Sequence, residues 1–253
     1  MKLLDGKIAI VTGGNSGIGK KTVEVFLKNG AKVISCARRS DENRKAQEEL
    51  SQYGEVEFID ADLRKSEDAK KVIDKTIEKY GRIDVLVNNA GIADKHMRIT
   101  ECTEDWYDNV VKSDQYSVYF MCKYALDEML KTGEGSIVNV SSIGGRGMAG
   151  ISYSAAKAAV DAMTRNIAIQ VGQTKIRCNA IAPGPTPTAL NNPEAMKEFD
   201  MEFAELTARH MDFSVEECDV EDQANAILFF ASDLSKRVSG QVLYVDNGST
   251  LFS

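Results

Sequence analysis

No stretch of about 18 consecutive apolar residues occurs in the 253-residue chain, so no membrane-spanning helix is expected. Basic clusters are equally absent. Lys and Arg total 31 against 38 Asp and Glu, and the formal charge of -7 argues against partnership with nucleic acid or an anionic membrane. Cys36, Cys102, Cys122, Cys178 and Cys218 are odd in number and show neither CxxC nor Cys/His ligand spacing. That pattern argues against a disulfide framework and a metal site, and the expected setting is a reducing cytoplasm. His96 and His210 have no partners at motif spacing and are read as structural. In the opening MKLLDGKIAIV, Asp5 and Gly6 break any apolar core, so no signal peptide is expected. Repeats, low-complexity tracts and Pro/Gly/Ser linkers are missing too, and a single domain over 1–253 is expected.

What remains is an ordinary globular composition, 43% hydrophobic and 27% charged, long enough to bury a full core. Seven short apolar runs read as strands: 7–13, 31–37, 56–61, 82–91, 135–142, 175–184 and 241–248. Most are apolar at successive positions, as strands buried on both faces are. Helical periodicity fills the intervals. In SEDAKKVIDKTIEKYG, Ala69, Val72, Ile73, Ile77 and Tyr80 make an apolar stripe, with Ser66 as the expected cap and Gly81 as the stop. Alternating strands and helices imply βαβ units in an open α/β sheet covered on both sides. The long interval 185–215 is expected to form a substrate lid.

The first strand runs into TGGNSGIGKK, which places Gly13, Gly17 and Gly19 at a strand-to-helix turn. Glycine lets backbone N–H groups approach a diphosphate, and the helix N-terminus adds favourable partial charge. The spacing is GxxxGxG rather than GxGxxG. A P-loop is rejected, because Lys21 stands where the magnesium-binding Ser or Thr belongs.

Tyr153 and Lys157 are four residues apart and share one helix face. A free tyrosine has a pKa of about 10, which a nearby ammonium would lower towards the range useful for proton transfer. Tyr119 and Lys123 repeat the spacing inside a long helical stretch at about 114–131, with no strand before them, and are read as surface or packing residues.

These residues resemble the short-chain dehydrogenase/reductase family across nearly the whole chain. TGGNSGIG (12–19), NNAG (88–91), VSS followed by YSAAK, and APGPTPT (182–188) stand in the family's order. The resemblance implies a Rossmann-type, doubly wound, seven-stranded parallel sheet with helices on both faces. It also implies hydride transfer between a nicotinamide dinucleotide and a carbonyl or alcohol carbon, with no metal. Tyr153 would be the acid/base, Lys157 would hold the nicotinamide ribose, and Ser142 would orient the substrate oxygen. Gly13, Asn15, Ser16, Gly17, Ile18 and Gly19 would hold the diphosphate, Asp62 and Leu63 the adenine. Asn88, Ala90 and Gly91 would line the ribose, and Pro183, Gly184, Thr186 and Thr188 the nicotinamide. A homotetramer or homodimer built on helices near 102–131 and 153–171 is implied as well.

Two positions depart from the family's pattern. Asp114 occupies a slot usually held by Asn, where an ionised carboxylate near Lys157 would favour the charged lysine and alter the pH optimum. Ser142 lies 11 residues before Tyr153 rather than 13, so the connecting loop is two residues shorter and Gly144, Gly145, Gly147 and Gly150 are expected to let it close. For the cofactor, the usual acidic slot after strand two holds Ala37, followed by Arg38 and Arg39. That favours NADP over NAD, with Arg38 as the clamp on the 2′-phosphate. Met196, Phe199, Phe203 and Leu206 make an apolar face suited to a hydrophobic, steroid-like substrate; sugar, polyol, acyl-carrier and quinone-type carbonyls stay open. The rival reading is a cofactor-binding regulator that has lost catalysis.

Overall fold

The computed structural model describes residues 2–92, 95–188 and 197–250. Seven strands form one sheet in the order β3-β2-β1-β4-β5-β6-β7, every neighbouring pair parallel. They are β1 (Ile8–Thr12), β2 (Lys32–Ala37), β3 (Val56–Asp60), β4 (Val85–Asn88), β5 (Glu134–Val140), β6 (Lys175–Pro183) and β7 (Val242–Val245). The helices are α1 (Gly17–Lys28), α2 (Ser40–Leu50), α3 (Ser66–Tyr80), α4 (Glu104–Val111), α5 (Ser117–Thr132), α6 (Ile151–Gln170), α7 (Met201–Ala208) and α8 (Val220–Ala231).

Continuous apolar runs are explained by burial on both sides. Along β1, Ala9 and Val11 face a cluster with Phe26 of α1, Leu50 of α2 and Ile227 of α8. Ile10, between them, faces Val72 of α3, Met121 of α5 and Val160 of α6. Neighbouring strands alternate in the same way, so each supplies side chains to two cores. A buried chain of polar groups crosses the second core. Asn88 Nδ2 donates to Asn139 Oδ1 at 2.9 Å and to Cys122 Sγ at 3.2 Å, and Asn139 Nδ2 donates to Thr164 Oγ1 at 2.8 Å. It fastens β4 and β5 to α5 and α6.

Two local readings change. Ser66 does not cap α3: it is the first helical residue, its Oγ lies 2.7 Å from the Tyr124 hydroxyl, and Lys65 holds the cap position. Gly81 ends the helix in left-handed conformation, at φ 73°. The long helix near 114–131 extends back to Glu104, and a π-helical turn, Lys112–Tyr116, joins α4 to α5.

Because β1 lies between β2 and β4, the chain leaves the middle of the sheet in opposite directions. A crevice opens at that point beyond the carboxyl ends of β1 and β4, where open α/β sheets bind ligands. Among the described residues, no helix is long and apolar enough to cross a membrane. Phe26 is fully buried between β1 and α8. Phe26→Ala is expected to destabilise the fold by about 3–5 kcal/mol, which a urea melt followed by circular dichroism would measure.

Candidate active site

At the crevice, the ends of β1 and β4 are joined by side chains. Thr12 Oγ1 accepts the Asn89 and Ala90 N–H groups, both at 2.9 Å, and Asn89 Nδ2 donates to the Thr12 carbonyl at 3.0 Å. The glycine turn is moulded on this joint. A Cβ at Gly19 would collide with the Gly13 carbonyl and the Asn89 amide, and a Cβ at Gly13 would stand 3.0 Å from Ala90 Cα. Gly17 adopts φ 53° and faces Thr188, at 3.4 Å from where its Cβ would be. Backbone is thus laid bare at the start of α1, where Ser16 holds the cap position without a side-chain cap bond. Such a surface fits a diphosphate. Ile18 is half-buried against the first core. Asn15 Nδ2 donates to Asn43 Oδ1 at 2.9 Å, which ties the turn to α2.

Arg38 is exposed and forms no ion pair among the described residues, whereas Arg39 pairs with Glu42. Asp60, opposite Ala37 in the sheet, has its oxygens engaged by Ser40 Oγ at 2.6 Å and Asn43 Nδ2 at 2.7 Å. These bonds hold its carboxyl below the usual carboxylate range. Asp62 is likewise held low, first by its bonds to Arg64 (Nη2 to Oδ2, 2.7 Å), and Leu63 is buried beside it.

The catalytic candidates meet on the other side of the crevice. Lys157 is 4% exposed, and its Nζ donates to the Val140 carbonyl at 3.2 Å and lies 3.2 Å from Asp114 Oδ2. Burial on its own would push this ammonium down. Tyr153, Asp114 and Asp161 push the other way, and the net direction is up. Lys157 Nζ stands 5.3 Å from the Tyr153 ring centroid. Asp114, fully buried in the π-helical turn, also accepts the Ile92 N–H on Oδ1 at 3.0 Å. Gly91 lies directly under it, 2.8 Å from Oδ2 to an added Cβ.

The shortened serine loop closes by folding back onto α6. Ser142 starts a 3-10 turn, Ile143–Arg146, that ends at Gly147 with φ 89°. A Cβ on Gly144 would stand 3.1 Å from the Tyr153 ring, and one on Gly145 3.2 Å from the backbone at Lys157 and Ala158. The two serines separate clearly. Ser141 is buried and its Oγ donates to the Lys157 carbonyl at 3.3 Å. Ser142 Oγ, half-buried, accepts the Gly144 N–H at 3.0 Å, which leaves its own hydrogen available to a substrate oxygen.

Other candidates are committed elsewhere by their side chains. The Asn88 side chain enters the core, donating to Asn139 and Cys122, so only its backbone is left to line the crevice. The Thr186 side chain is buried as well, donating to the Gly184 carbonyl at 3.1 Å and accepting from Gln223 Nε2 at 3.2 Å. Pro183 is buried at the end of β6, and Gly184 packs on Asp246. Thr188, half-buried, stays at the crevice. Asn89 was missed; its signal was the second Asn of NNAG. Tyr119 is exposed on α5, as a surface residue should be.

Part of the expected lid is described. The loop after β4 is clipped to α7 and its approach: Lys95 pairs with Glu198 at 2.5 Å, Arg98 with Asp200 at 3.3 Å and with Glu202 at 2.9 Å. The His96 ring lies 5.0 Å from Phe199, and Arg98 lies over Phe203. Leu206 is exposed, and Met196 lies outside the described residues.

Comparison with known proteins agrees with this fold. A family model described as enoyl-(acyl carrier protein) reductase matches residues 13–250. The chain is 35% identical to 7alpha-hydroxysteroid dehydrogenase of Clostridium sardiniense, over 99% of this chain and 96% of that one. It is 38% identical to a 3-oxoacyl-[acyl-carrier-protein] reductase of Thermotoga maritima, over 97% and 98%. A solved short-chain type dehydrogenase/reductase from Mycobacterium ulcerans superposes with TM-score 0.88 at 29% identity, covering 98% and 91%.

Removing the side chain that joins β1 to β4 should loosen the glycine turn. Asn89→Ala is expected to cost about 1–3 kcal/mol, as for a buried polar group left unsatisfied, and to weaken dinucleotide binding; thermal melts with and without NADPH would show both.

Proposed function

Because this chain belongs to the short-chain dehydrogenase/reductase family, we propose that it moves hydride between NADP(H) and a carbonyl or secondary-alcohol carbon, with Tyr153 as acid/base. The observation that carries this reading is the buried Lys157 ammonium beside the Tyr153 ring, on the wall formed by the Ser142 turn. A bound nicotinamide dinucleotide supplies or accepts the hydride. In reduction, Ser142 donates a hydrogen bond to the carbonyl oxygen, and Tyr153 transfers its hydroxyl proton to that oxygen as it becomes an alkoxide. Oxidation runs the same steps backwards, with the phenolate taking the alcohol proton. Lys157 stabilises the phenolate in either direction.

The bare backbone at Gly13, Gly17 and Gly19 would hold the diphosphate, and Thr188 would approach the carboxamide. NADP is favoured because Ala37 stands in the acidic slot, the adjacent Asp60 is engaged by Ser40 and Asn43, and Arg38 is exposed to meet a 2′-phosphate. Carbonyl chemistry is preferred to double-bond reduction because enzymes of the latter kind usually separate tyrosine and lysine more widely. Phe199 and Phe203 beside the 95–98 loop, exposed Leu206 on the same helix as Phe203, and the relative named as a hydroxysteroid dehydrogenase support a hydrophobic substrate. Tyr116, Tyr119 and Leu130 around α5 and Ile169 on α6 expose large apolar surface, which suits association of copies into a homo-oligomer.

Purified protein with NADPH or NADP and a panel of carbonyls and secondary alcohols, followed by reduced-nicotinamide absorbance, tests the reading. Tyr153→Phe is expected to lower turnover by about 10²-fold or more while NADPH binding by fluorescence titration persists. Binding without turnover by the wild type on the whole panel would favour the regulator instead. Arg38→Ala is expected to weaken NADPH binding about tenfold or more, as for a lost charge-assisted bond, and to leave NADH binding unchanged; an unaltered NADPH/NADH preference would overturn the NADP assignment.

A further inference from the structure

The carboxylate of Asp114 accepts the Ile92 N–H on Oδ1 at 3.0 Å and places Oδ2 3.2 Å from Lys157 Nζ. It is fully buried and packed against Gly91, so it has no room to turn aside. An asparagine could keep the first bond through its amide oxygen, but would then turn an NH2 donor towards an ammonium that also only donates. The contact with Lys157 therefore requires the acid.

We propose that Asp114 is a positioning residue that holds Lys157 and offsets part of its charge, so that Tyr153 ionises at higher pH than it would beside an unopposed lysine. This rests on the reading of Tyr153 as the acid/base. Among the described residues, the groups acting on Lys157 Nζ come from three elements. From α6 come Tyr153 and Asp161, with Arg165 acting on Asp161; from the π-helical turn comes Asp114; from β5 comes the Val140 carbonyl. Asp161 follows Lys157 by one turn of α6, and burial raises its carboxyl above the usual range. Asp114, at 3.2 Å, is the carboxylate that forms an ion pair with the lysine among the described residues. An ammonium alone pulls a neighbouring phenol down, and a carboxylate in contact with that ammonium cancels part of the pull. Lys157 gives one N–H to the Val140 carbonyl and lies against Asp114, and a remaining N–H would serve a ribose hydroxyl or the phenolate.

The test needs no substrate. The tyrosinate absorbance of the protein is titrated against pH, and the curve of Tyr153→Phe is subtracted to isolate Tyr153. The same difference is taken between Asp114→Asn and Asp114→Asn/Tyr153→Phe. The midpoint is expected to fall by roughly one pH unit in the Asp114→Asn background. With NADP and a secondary alcohol that is turned over, the rising limb of kcat/KM should fall with it. An unmoved midpoint, or one that rises because Lys157 has lost its charge, overturns the proposal. If Asp114→Asn does not fold, Asp114→Ser, which keeps an uncharged oxygen for Ile92, takes its place with the same expected direction. Retained turnover in Tyr153→Phe would refute the acid/base reading separately, while the shift between titrations would still report the electrostatics.

Discussion

One buried charge organises the catalytic edge of this sheet. The Lys157 ammonium sits almost out of solvent, between the carbonyl at the end of β5 and a carboxylate in the π-helical turn. A charge in such a place costs several kcal/mol unless its partners are close and well placed. Three separate elements must therefore meet correctly for Lys157 to be accommodated at all. The π-helical turn belongs to that requirement: its wider hydrogen-bond ring re-aims a side chain that a regular helix would carry elsewhere. Asp114 uses that displacement to reach both Lys157 and the chain leaving β4.

The cofactor side is built on a different principle. There the constraint is close approach, with Asn89 and Thr12 drawing two strand ends together until only hydrogen fits at Gly13 and Gly19. The two sides share β4 and the segment after it, since Asn89 serves the glycine turn and Ile92, three residues on, anchors Asp114. The strand ends thus brace the glycine turn proposed to cradle the dinucleotide, while α6 carries Tyr153 and Lys157, the pair proposed to move the proton; rigid elements on both sides suit chemistry that depends on fixed distances.

The parallel sheet was legible because its strands are buried on both faces, and that leaves unbroken apolar runs such as IAIVT. Tyr153, Lys157 and the glycine turn were legible because their chemistry fixes residue types at fixed spacing. What escaped notice depends on partners distant along the chain. Ser66 looked like a cap until Tyr124 claimed its hydroxyl. Asn88 and Asn89 are indistinguishable as letters, yet Asn88 ends β4 and enters the core while Asn89, just past the strand, braces the turn. Thr186 is drawn inwards by Gln223, 37 residues later. The π-helical turn leaves no mark on hydrophobic periodicity, because it follows from what Asp114 reaches.

Gly145 lies on the backbone of α6 with space for hydrogen and little else. A larger residue there would lever the Ser142 turn off the helix that carries Tyr153 and Lys157. At that position the turn is consequently closed to enlargement of the side chain. The clipped segments at 95–98 and α7 are joined by ion pairs to exposed Glu198 and Glu202, which can be exchanged without touching Tyr153 or Lys157.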